Sequence, residues 1–470
     1  MFIQQLYTKC LSEAAYYIES NGEAAIIDPL RDIDAYTALA KERKTTIKYI
    51  FETHFHADFV SGHLELQKAT GAPIIYGPGA ETNFPIINAT DNQYFTLGDI
   101  SIQAIHTPGH TLESCCYLLY NEQQQPYALF TGDTLFIGDV GRPDLSSGNL
   151  DKEALASILY DSLQQKIMPL SNDIIIYPAH GAGSSCGKNL STQTYSTLGE
   201  QKQSNYALKS KNKEAFIAAV IAGLEAPPPY FPINARMNKE GYEVLENILH
   251  RGLSPLSVKN FKQKMQEKDT IILDTRAAAQ FTQGFIPTSI NIGLEGRFAE
   301  WAGSLLPFDA HLLLVTDNAE KAQESIIRLA RVGFSNIVGY LDAGVKAWQK
   351  AGEPIDMIID IDADELAMDL PYDDKIIVLD VRKEVEYENG HVQDAINIPL
   401  HDFTNLVNIA HIDDEKSNIY VYCGGGYRSV IAASLLKHQG ILHVRNVLGG
   451  WNAIQQQKNI DVVQEAATLN

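Results

Sequence analysis

Four separate segments within the first 180 residues carry histidine or aspartate in a pattern suited to metal chemistry. The six side chains are His54, His56, Asp58, His110, Asp133 and His180. Imidazole and carboxylate groups are ordinary ligands of transition metals. Two imidazoles and a carboxylate crowd into THFHAD alone, so an accidental set of polar loop residues is the weaker interpretation. The pattern therefore predicts a metal site.

A second segment, VYCGGGYRS, carries a nucleophile. Cys423 ends an apolar run and is followed by Gly424, Gly425, Gly426, Tyr427, Arg428 and Ser429. A glycine-rich loop that opens a helix can turn several backbone N–H groups inward, and the helix N-terminus and Arg428 add positive charge. Such a loop stabilises an anion at the cysteine, so the pattern predicts a sulfur carrier that holds a persulfide on Cys423.

Short apolar runs precede the metal-site segments, as in IKYIFETHFHAD, ISIQAIHTPGH, YALFTGD and DIIIYPAH. These runs predict strands whose ends carry the site residues. Further along the chain, apolar runs alternate with helix-like stretches, a pattern typical of parallel sheets covered by helices. We therefore expect a multidomain α/β protein.

An internal repeat predicts two related domains in the C-terminal half. LDTRAAAQFTQGFIPTSINI, from Leu273, resembles LDVRKEVEYENGHVQDAINI, from Leu379, at an offset of 106 (379 − 273). The same offset places Asp317 at the position of Cys423 and Ala322 at that of Arg428. The residues that replace the three glycines are Asn318, Ala319 and Glu320. The first copy is therefore expected to be inactive and to act as a spacer or docking surface.

Composition excludes some functions. The 470 residues carry a formal net charge of −21, whereas nucleic acids and anionic membranes require a basic surface. No apolar run approaches the roughly 20 residues of a membrane helix. The N-terminus lacks the pattern of a secretory signal, so we expect a cytoplasmic protein. The five cysteines are odd in number and irregularly spaced, which argues against a disulfide scaffold.

The metal-site segments resemble the metallo-β-lactamase superfamily, whose signature is H-x-H-x-D-H followed by a histidine, a bridging aspartate and a final histidine. The resemblance covers nearly all of residues 1–240 and implies an αββα sandwich. Phe59 stands where dinuclear members place a histidine for the second metal. Phenylalanine has no lone pair to donate, so the second site loses a ligand.

The segments THFHAD, HTPGHT, TGD followed by GRPD, and YPAH resemble the persulfide dioxygenases of this superfamily. The resemblance implies one Fe(II) per chain on His54, His110 and Asp133, with zinc also possible in purified protein. Two histidines and one carboxylate leave open positions suited to O₂. The implied substrates are a low-molecular-weight thiol persulfide and O₂. His56, Asp58 and His180 would then orient ligands or bound water, or, for His180, contact the substrate.

Three further residues near these segments carry two interpretations each. Arg142 either lines the site or forms a structural salt bridge with Asp139 or Asp144. Tyr177 either lines the cleft or packs in the core. Cys186 is either a reactive thiol near the metal or an uninvolved loop thiol. Cys115 and Cys116 lie in the apolar segment SCCYLLY and are expected in the core.

The Cys423 loop, with its flanking LDVR, NGHVQDAINIP and LGGW segments, resembles the active loop of rhodaneses. The chain is therefore expected to contain a metallo-β-lactamase-fold dioxygenase domain at 1–245, an inactive rhodanese-like domain at 255–358 and an active rhodanese domain at 362–470. Sulfite and thiosulfate are expected partners of Cys423, with the direction of transfer open. The carrier thiol also stays open among glutathione, coenzyme A, bacillithiol and cysteine, and we expect a homo-oligomer.

Two alternative functions remain at this point. One is a zinc thioesterase of glyoxalase II type joined to a sulfurtransferase, against which Phe59 counts. The other is a non-catalytic sulfur relay, against which the complete ligand set counts.

Overall fold

The computed structural model describes residues 1–145, 150–373, 375–409, 412 and 418–464. The chain divides into two compact units, Met1–Asn247 with Leu329–Gly333, and Ile248–Arg328 with Phe334–Asn470. Among the described helices, none is both long and apolar enough to cross a lipid bilayer. The predicted domain boundaries stay predictions; the second unit contains both copies of the repeat except Leu329–Gly333.

The first unit contains two six-stranded sheets. One sheet has the order β1 to β6, at Phe2–Thr8, Glu13–Ser20, Glu23–Ile27, Thr46–Phe51, Ile74–Tyr76 and Ile87–Asn88. The other has the order β12 to β7, and its strands β7 to β12 are Tyr94–Leu97, Ile100–His106, Cys115–Tyr120, Pro126–Gly132, Ile175–Pro178 and Ser196–Thr197.

Helices cover the outer faces of these sheets. The helices of this part of the chain are α1 Asp34–Arg43, α2 His63–Thr70, α3 Lys152–Ser162, α4 Leu198–Ser204, α5 Lys213–Ile221 and α6 Phe231–Glu240, with a π-helical turn at Leu163–Ile167; α7, Leu245–Gly252, spans the boundary of the two units. Because side chains alternate along a strand, Tyr16 of β2 lies between the sheets while Tyr17 packs against α1 and α2. A third cluster packs α3 and α5 against the second sheet. The αββα sandwich is thereby confirmed.

The strand ends gather the metal-site residues. β8 and β9 are antiparallel, β9 and β10 are antiparallel, and β10 and β11 are parallel, so β8, β10 and β11 all run in one direction. Their carboxyl ends therefore share one edge of the second sheet. His110, Asp133 and His180 follow these three strands, and the THFHAD segment follows β4 of the first sheet.

The first copy of the repeat is a parallel sheet with the order β13-β17-β16-β14-β15. Strands β13 to β17 are Pro255–Leu256, Thr270–Asp274, Ile290–Asn291, His311–Val315 and Ile337–Leu341. Helices α8 to α12 are Val258–Met265, Ala278–Thr282, Phe298–Leu305, Ala319–Arg331 and Gly344–Lys350.

The second copy repeats this topology with the order β18-β23-β22-β19-β21 and adds an antiparallel pair, β20 with β24. Strands β18 to β24 are Ile359–Ile361, Ile376–Asp380, His391–Val392, Ile396–Asn397, Asn418–Tyr422, Val444–Val447 and Val462–Val463. Helices α13 to α17 are Ala363–Asp369, Glu384–Glu388, Leu406–Ile409, Tyr427–His438 and Gly450–Ile454, with a 3₁₀ turn at Leu400–Thr404. The expected α/β domains with parallel sheets are confirmed.

The sheet register corrects the equivalence drawn between the two copies. Val315 pairs with Asp274, and Tyr422 pairs with Asp380, so each ends the corresponding strand. The next residue is Thr316 in the first copy and Cys423 in the second, an offset of 107 (423 − 316). Asp317 therefore does not stand in the place of Cys423, because the ungapped offset of 106 fails between the two strands. Thr316 offers a hydroxyl instead of a thiol, so the first copy still lacks a sulfur carrier.

Candidate functional site

The structure brings His54, His110 and Asp133 together as one buried cluster. One ligand atom of each lies within 4.8 Å of the others. The Nε2 atoms of His110 and His54 lie 3.4 and 3.8 Å from Oδ2 of Asp133. All three side chains are at most 2% exposed. This geometry suits two imidazole nitrogens and one carboxylate oxygen that converge on a single ion.

Hydrogen bonds to the outer ring nitrogens set the tautomers of both histidines. Nδ1 of His110 lies 2.8 Å from the carbonyl of Arg142, an acceptor only, so this nitrogen donates. Nδ1 of His54 lies 2.9 Å from the hydroxyl of Thr53, which itself donates to Asp28 at 2.8 Å and is therefore left to accept. In both rings, Nε2 keeps its lone pair and faces Asp133.

The site has unsatisfied buried atoms where a cation would sit. Both carboxylate oxygens of Asp133 lack a hydrogen-bond partner among the described residues. Burial raises the pKa of Asp133 to about 6 and lowers the pKa of His110 to about 4. Burial, followed by the neighbouring imidazoles, lowers the pKa of His54 well below its usual value. The imidazoles are therefore neutral near pH 7, as metal ligands must be, and the residues fit a metal ion.

His56 lies beside two buried carboxylates, and one of its ring nitrogens also lies within 4.8 Å of ligand atoms of Asp58 and His180. Its Nε2 lies 3.1 Å from Asp28 and 3.5 Å from Glu52. Burial opposes a charge on His56, but these two carboxylates outweigh it and raise the pKa of His56 well above its usual value. Phe59 stacks on the His56 ring with 4.3 Å between ring centroids. Phe59 therefore removes a donor and also packs against His56.

Asp58, His180 and Cys186 lie on the other side of Asp133. Nε2 of His180 is 3.4 Å from Asp58 and 3.5 Å from Asp133. The ligand atoms of Asp133, His180 and Cys186 also lie within 4.8 Å of one another. Burial, then the charges of Asp58 and Asp133, raises the pKa of the Cys186 thiol well above its usual value. Cys186 is thus a protonated thiol at the cluster, only 1% exposed.

Arg142 and Tyr177 have structural contacts. The guanidinium of Arg142 pairs with both oxygens of Asp144 at 2.7 Å, not with Asp139, and it also donates to the carbonyls of Ser185 and Glu225. Tyr177 stacks on Phe130 at 5.4 Å between ring centroids, within the core between the sheets. Cys115 and Cys116 are buried, as expected.

The Cys423 loop joins β22 to α16. The backbone N–H of Gly426 donates to Sγ of Cys423 at 3.1 Å, and Gly426 has a φ of 106°, which a glycine accommodates without strain. The thiol donates to Ser429, which donates to Asn446. A backbone amide and the first turn of α16 thus lie against the thiol of Cys423, a residue that is 1% exposed.

Arg428 does not stand alone beside this loop. Its guanidinium donates to both carboxylate oxygens of Glu386, at 2.6 and 2.8 Å. These hydrogen bonds raise the pKa of Arg428 and lower that of Glu386. The positive charge expected for the persulfide is therefore shared with a carboxylate.

Sequence reasoning missed Asp28, Glu52, Thr53 and Glu386. A signal existed for Asp28, since AAIIDP is another apolar run that ends in aspartate, and for Thr53 and Glu52, which adjoin THFHAD. Nothing local to EVEYENG distinguishes Glu386 from its acidic neighbours. Its role depends on α14 lying next to the Cys423 loop.

Comparisons with known proteins agree with this architecture. A model of the metallo-beta-lactamase superfamily matches residues 8–180, and a model of the rhodanese-like domain matches 257–351 and 362–457. A crystal structure of a metallo-beta-lactamase from Staphylococcus aureus subsp. aureus COL is 33% identical, with a TM-score of 0.63; the match covers 73% of this chain and 98% of that one.

Two curated relatives are hydroxyacylglutathione hydrolases. A probable one from Schizosaccharomyces pombe is 33% identical over 34% of this chain, and the cytoplasmic one from Arabidopsis thaliana is 31% identical over 37%. The chain covers only 60% and 66% of their lengths. The family models and the Staphylococcus aureus structure, together with the observed fold, show that the chain belongs to the metallo-beta-lactamase superfamily and continues into two rhodanese-like domains.

Proposed function

We propose that this chain is a persulfide dioxygenase coupled to a sulfurtransferase. Its first unit would hold one Fe(II) on His54, His110 and Asp133 and oxidise a low-molecular-weight thiol persulfide to sulfite. The observation that carries the proposal is Phe59, which packs on His56 and supplies no ligand for a second metal. A two-metal hydrolytic centre is disfavoured, whereas a face of two histidines and one carboxylate suits Fe(II) and O₂.

Iron held by these residues would supply the redox chemistry between persulfide sulfur and O₂. The chain's own residues would set the geometry. Thr53 and the carbonyl of Arg142 hold the two imidazole tautomers, and burial excludes bulk water from the cluster. The net reaction is RSSH + O₂ + H₂O → RSH + SO₃²⁻ + 2 H⁺, in which sulfane sulfur is oxidised and O₂ is reduced.

Cys423 would carry sulfane sulfur by exchange without net oxidation. Its thiolate attacks the outer sulfur of thiosulfate; the S–S bond of thiosulfate breaks, sulfite leaves with the electron pair, and a persulfide forms on Sγ. A thiol RSH then takes the outer sulfur, giving RSSH and the Cys423 thiolate. The Gly426 N–H lies where it would stabilise negative charge on the sulfur. The same steps in reverse would transfer sulfane sulfur from RSSH to sulfite and form thiosulfate.

Metal analysis of anaerobically purified protein, combined with O₂ consumption on glutathione persulfide, tests the proposal. We expect one iron per chain and one sulfite formed per O₂ consumed. Protein that contains only zinc, and that consumes no O₂ after iron loading, would overturn the dioxygenase assignment.

A second candidate function is a thioesterase of the hydroxyacylglutathione hydrolase type, joined to the same sulfurtransferase. The two curated relatives favour it, since both are named for that activity. Hydrolysis of S-D-lactoylglutathione by the zinc-loaded chain, without O₂ uptake on persulfide, would favour this candidate. The dioxygenase proposal predicts the opposite pair of results.

A further inference from the structure

We propose that a cavity between the two rhodanese-like copies binds the organic part of the thiol that exchanges sulfur with Cys423, and that it selects thiols carrying both an ammonium and a carboxylate. This inference rests on the sulfur-transfer half of the proposed function. It names the class of carrier as amino-acid or peptide thiols, such as cysteine or glutathione.

The cavity has a volume of about 460 Å³ and has walls from both copies. Glu295, Arg297 and Trp301 line it from the first copy, and Lys383, Tyr427 and Arg428 are among the residues that line it from the second. The first copy would therefore supply half of a binding site, although it has no thiol of its own. This role is more specific than a spacer or a docking surface.

The cavity adjoins the sulfur carrier because two of its lining residues belong to the Cys423 loop. Tyr427 begins α16, and its hydroxyl donates to the carbonyl of Gly293 at 2.8 Å. A methyl group at Gly296 would lie 3.4 Å from the Tyr427 ring, so this segment of the first copy packs closely on the loop.

The wall from the first copy is itself fixed. Arg328 donates to the carbonyls of Leu294 and Gly296, at 2.6 and 3.2 Å, and its guanidinium lies 5.3 Å from the centre of the Phe298 ring. The hydrogen bonds of Arg328 thus fix the wall that the first copy contributes, and the start of α16 forms the opposite wall.

Its size favours an organic ligand. Sites for small organic molecules commonly occupy about 300–1,000 Å³. Thiosulfate would fill only a small part of this space, whereas an amino-acid or tripeptide thiol would fill much more of it. Trp301 and Tyr427 provide apolar surface for the carbon atoms of such a ligand. Cys423 does not line the cavity, but Arg428, five residues farther along the same loop, does.

The charges on the walls have both signs. Arg297 and Lys383 supply cations, and Glu295 supplies a carboxylate. Arg428 is paired with Glu386 and Arg297 with Glu300, so the walls do not present positive charge alone. A ligand with only negative groups, such as coenzyme A, would leave Glu295 without a partner on the ligand. A zwitterionic thiol offers an ammonium to Glu295 and a carboxylate to the cations.

Sulfur transfer from thiosulfate-loaded Cys423 to three related thiols tests this assignment. The acceptors are cysteine, cysteamine, which lacks the carboxylate, and 3-mercaptopropionate, which lacks the ammonium. Because the three thiols differ in intrinsic reactivity, each variant is compared with the unaltered full-length chain for each acceptor, as a ratio of kcat/KM values.

We expect Glu295→Gln to lower kcat/KM for cysteine and cysteamine roughly tenfold relative to 3-mercaptopropionate, the size of one lost charge-assisted hydrogen bond. Arg297→Gln and Lys383→Gln should instead penalise cysteine and 3-mercaptopropionate relative to cysteamine. Glu267→Gln, an exposed glutamate on the first copy outside the cavity, is the matched control and should alter no ratio.

The outcomes separate this inference from the function on which it rests. Transfer by the unaltered chain, with equal effects of each cavity variant on all three acceptors, would overturn the cavity assignment alone. A chain that transfers sulfur to none of the three thiols would remove the sulfur-transfer half of the proposed function, and the cavity assignment with it.

Discussion

At the scale of single residues, Thr53 joins the metal cluster to the buried carboxylates behind it. Its hydroxyl accepts from Nδ1 of His54 and donates to Asp28, and its backbone N–H donates to the same aspartate at 2.7 Å. Thr53 thus sets which ring nitrogen of His54 carries the proton, although Thr53 is not itself a proposed metal ligand.

Thr53→Val keeps the shape of this side chain and removes the relay, that is, the hydroxyl that links His54 to Asp28. We expect metal affinity to fall about 10- to 100-fold, the usual effect of losing a hydrogen bond to a metal-bound histidine. Competition with a chelator of known affinity measures the change. Thr37→Val, on α1, is the control, and an unchanged affinity of Thr53→Val would contradict the assigned role of the relay.

Phe59→His tests why one metal is expected. Asp58, His180 and Asp133 already lie close together, so a histidine at position 59 would complete a second set of ligands. We expect zinc content after loading to rise from about one toward two per chain. Phe59→Leu, which adds no donor, should stay at one. A second metal in Phe59→Leu, or in the unaltered chain, would show that position 59 does not limit metal content.

At the scale of elements, the turn into α17 packs directly beneath the Cys423 loop. A methyl group at Gly450 would lie 2.2 Å from the carbonyl oxygen of Cys423, and Gly344 makes the equivalent approach to Thr316 at 2.7 Å. The amide of Trp451 donates to the same Cys423 carbonyl at 2.6 Å. The sulfur-carrier loop therefore depends on a second element that follows it in sequence.

Gly450→Ala should displace the loop and lower sulfur transfer from thiosulfate at least about tenfold, because backbone cannot yield as a flexible side chain can. The rate of transfer and the midpoint of thermal unfolding measure the effect. Gly440→Ala is the matched control, since Gly440 also has a positive φ, of 90°, but has no atom within 4 Å of a new methyl. It should cost about 1–2 kcal/mol of stability and retain transfer. A Gly450→Ala chain with a full rate would contradict the argument.

At the scale of the whole molecule, a metal cluster and a sulfur carrier occupy different compact units of one chain. The proposed function gives them one substrate class, since a persulfide is what the carrier exchanges and what the metal centre would oxidise.

The two activities should therefore be separable by mutation. We expect His110→Ala to abolish sulfite formation from glutathione persulfide while thiosulfate still loads Cys423. Cys423→Ser should abolish loading while sulfite formation continues. Sulfite assays and intact-protein mass spectrometry measure both. Loss of sulfite formation in both variants would show that the two sites do not work independently.

The sequence alone identifies the candidate residues for chemistry and the strands that precede them. The metal-site segments, the Cys423 loop and the repeat all follow from local patterns, because ligand types, glycine-rich turns and strand-forming runs are local properties. The missing ligand at position 59 could be predicted for the same reason, because the residue type alone shows that phenylalanine has no donor atom.

Which side chains contact one another is visible only in the folded chain. The closeness of His56 to Asp28 and Glu52, the pairing of Arg428 with Glu386 and the replacement of Cys423 by Thr316 depend on packing and strand register between distant segments. When a gap between the two copies is cancelled by another gap farther along the chain, the overall sequence offset hides a local shift of one residue. The hydrogen-bonded strand partners show that shift directly. The cavity beside Arg428 likewise exists only because two copies of the repeat fold against each other.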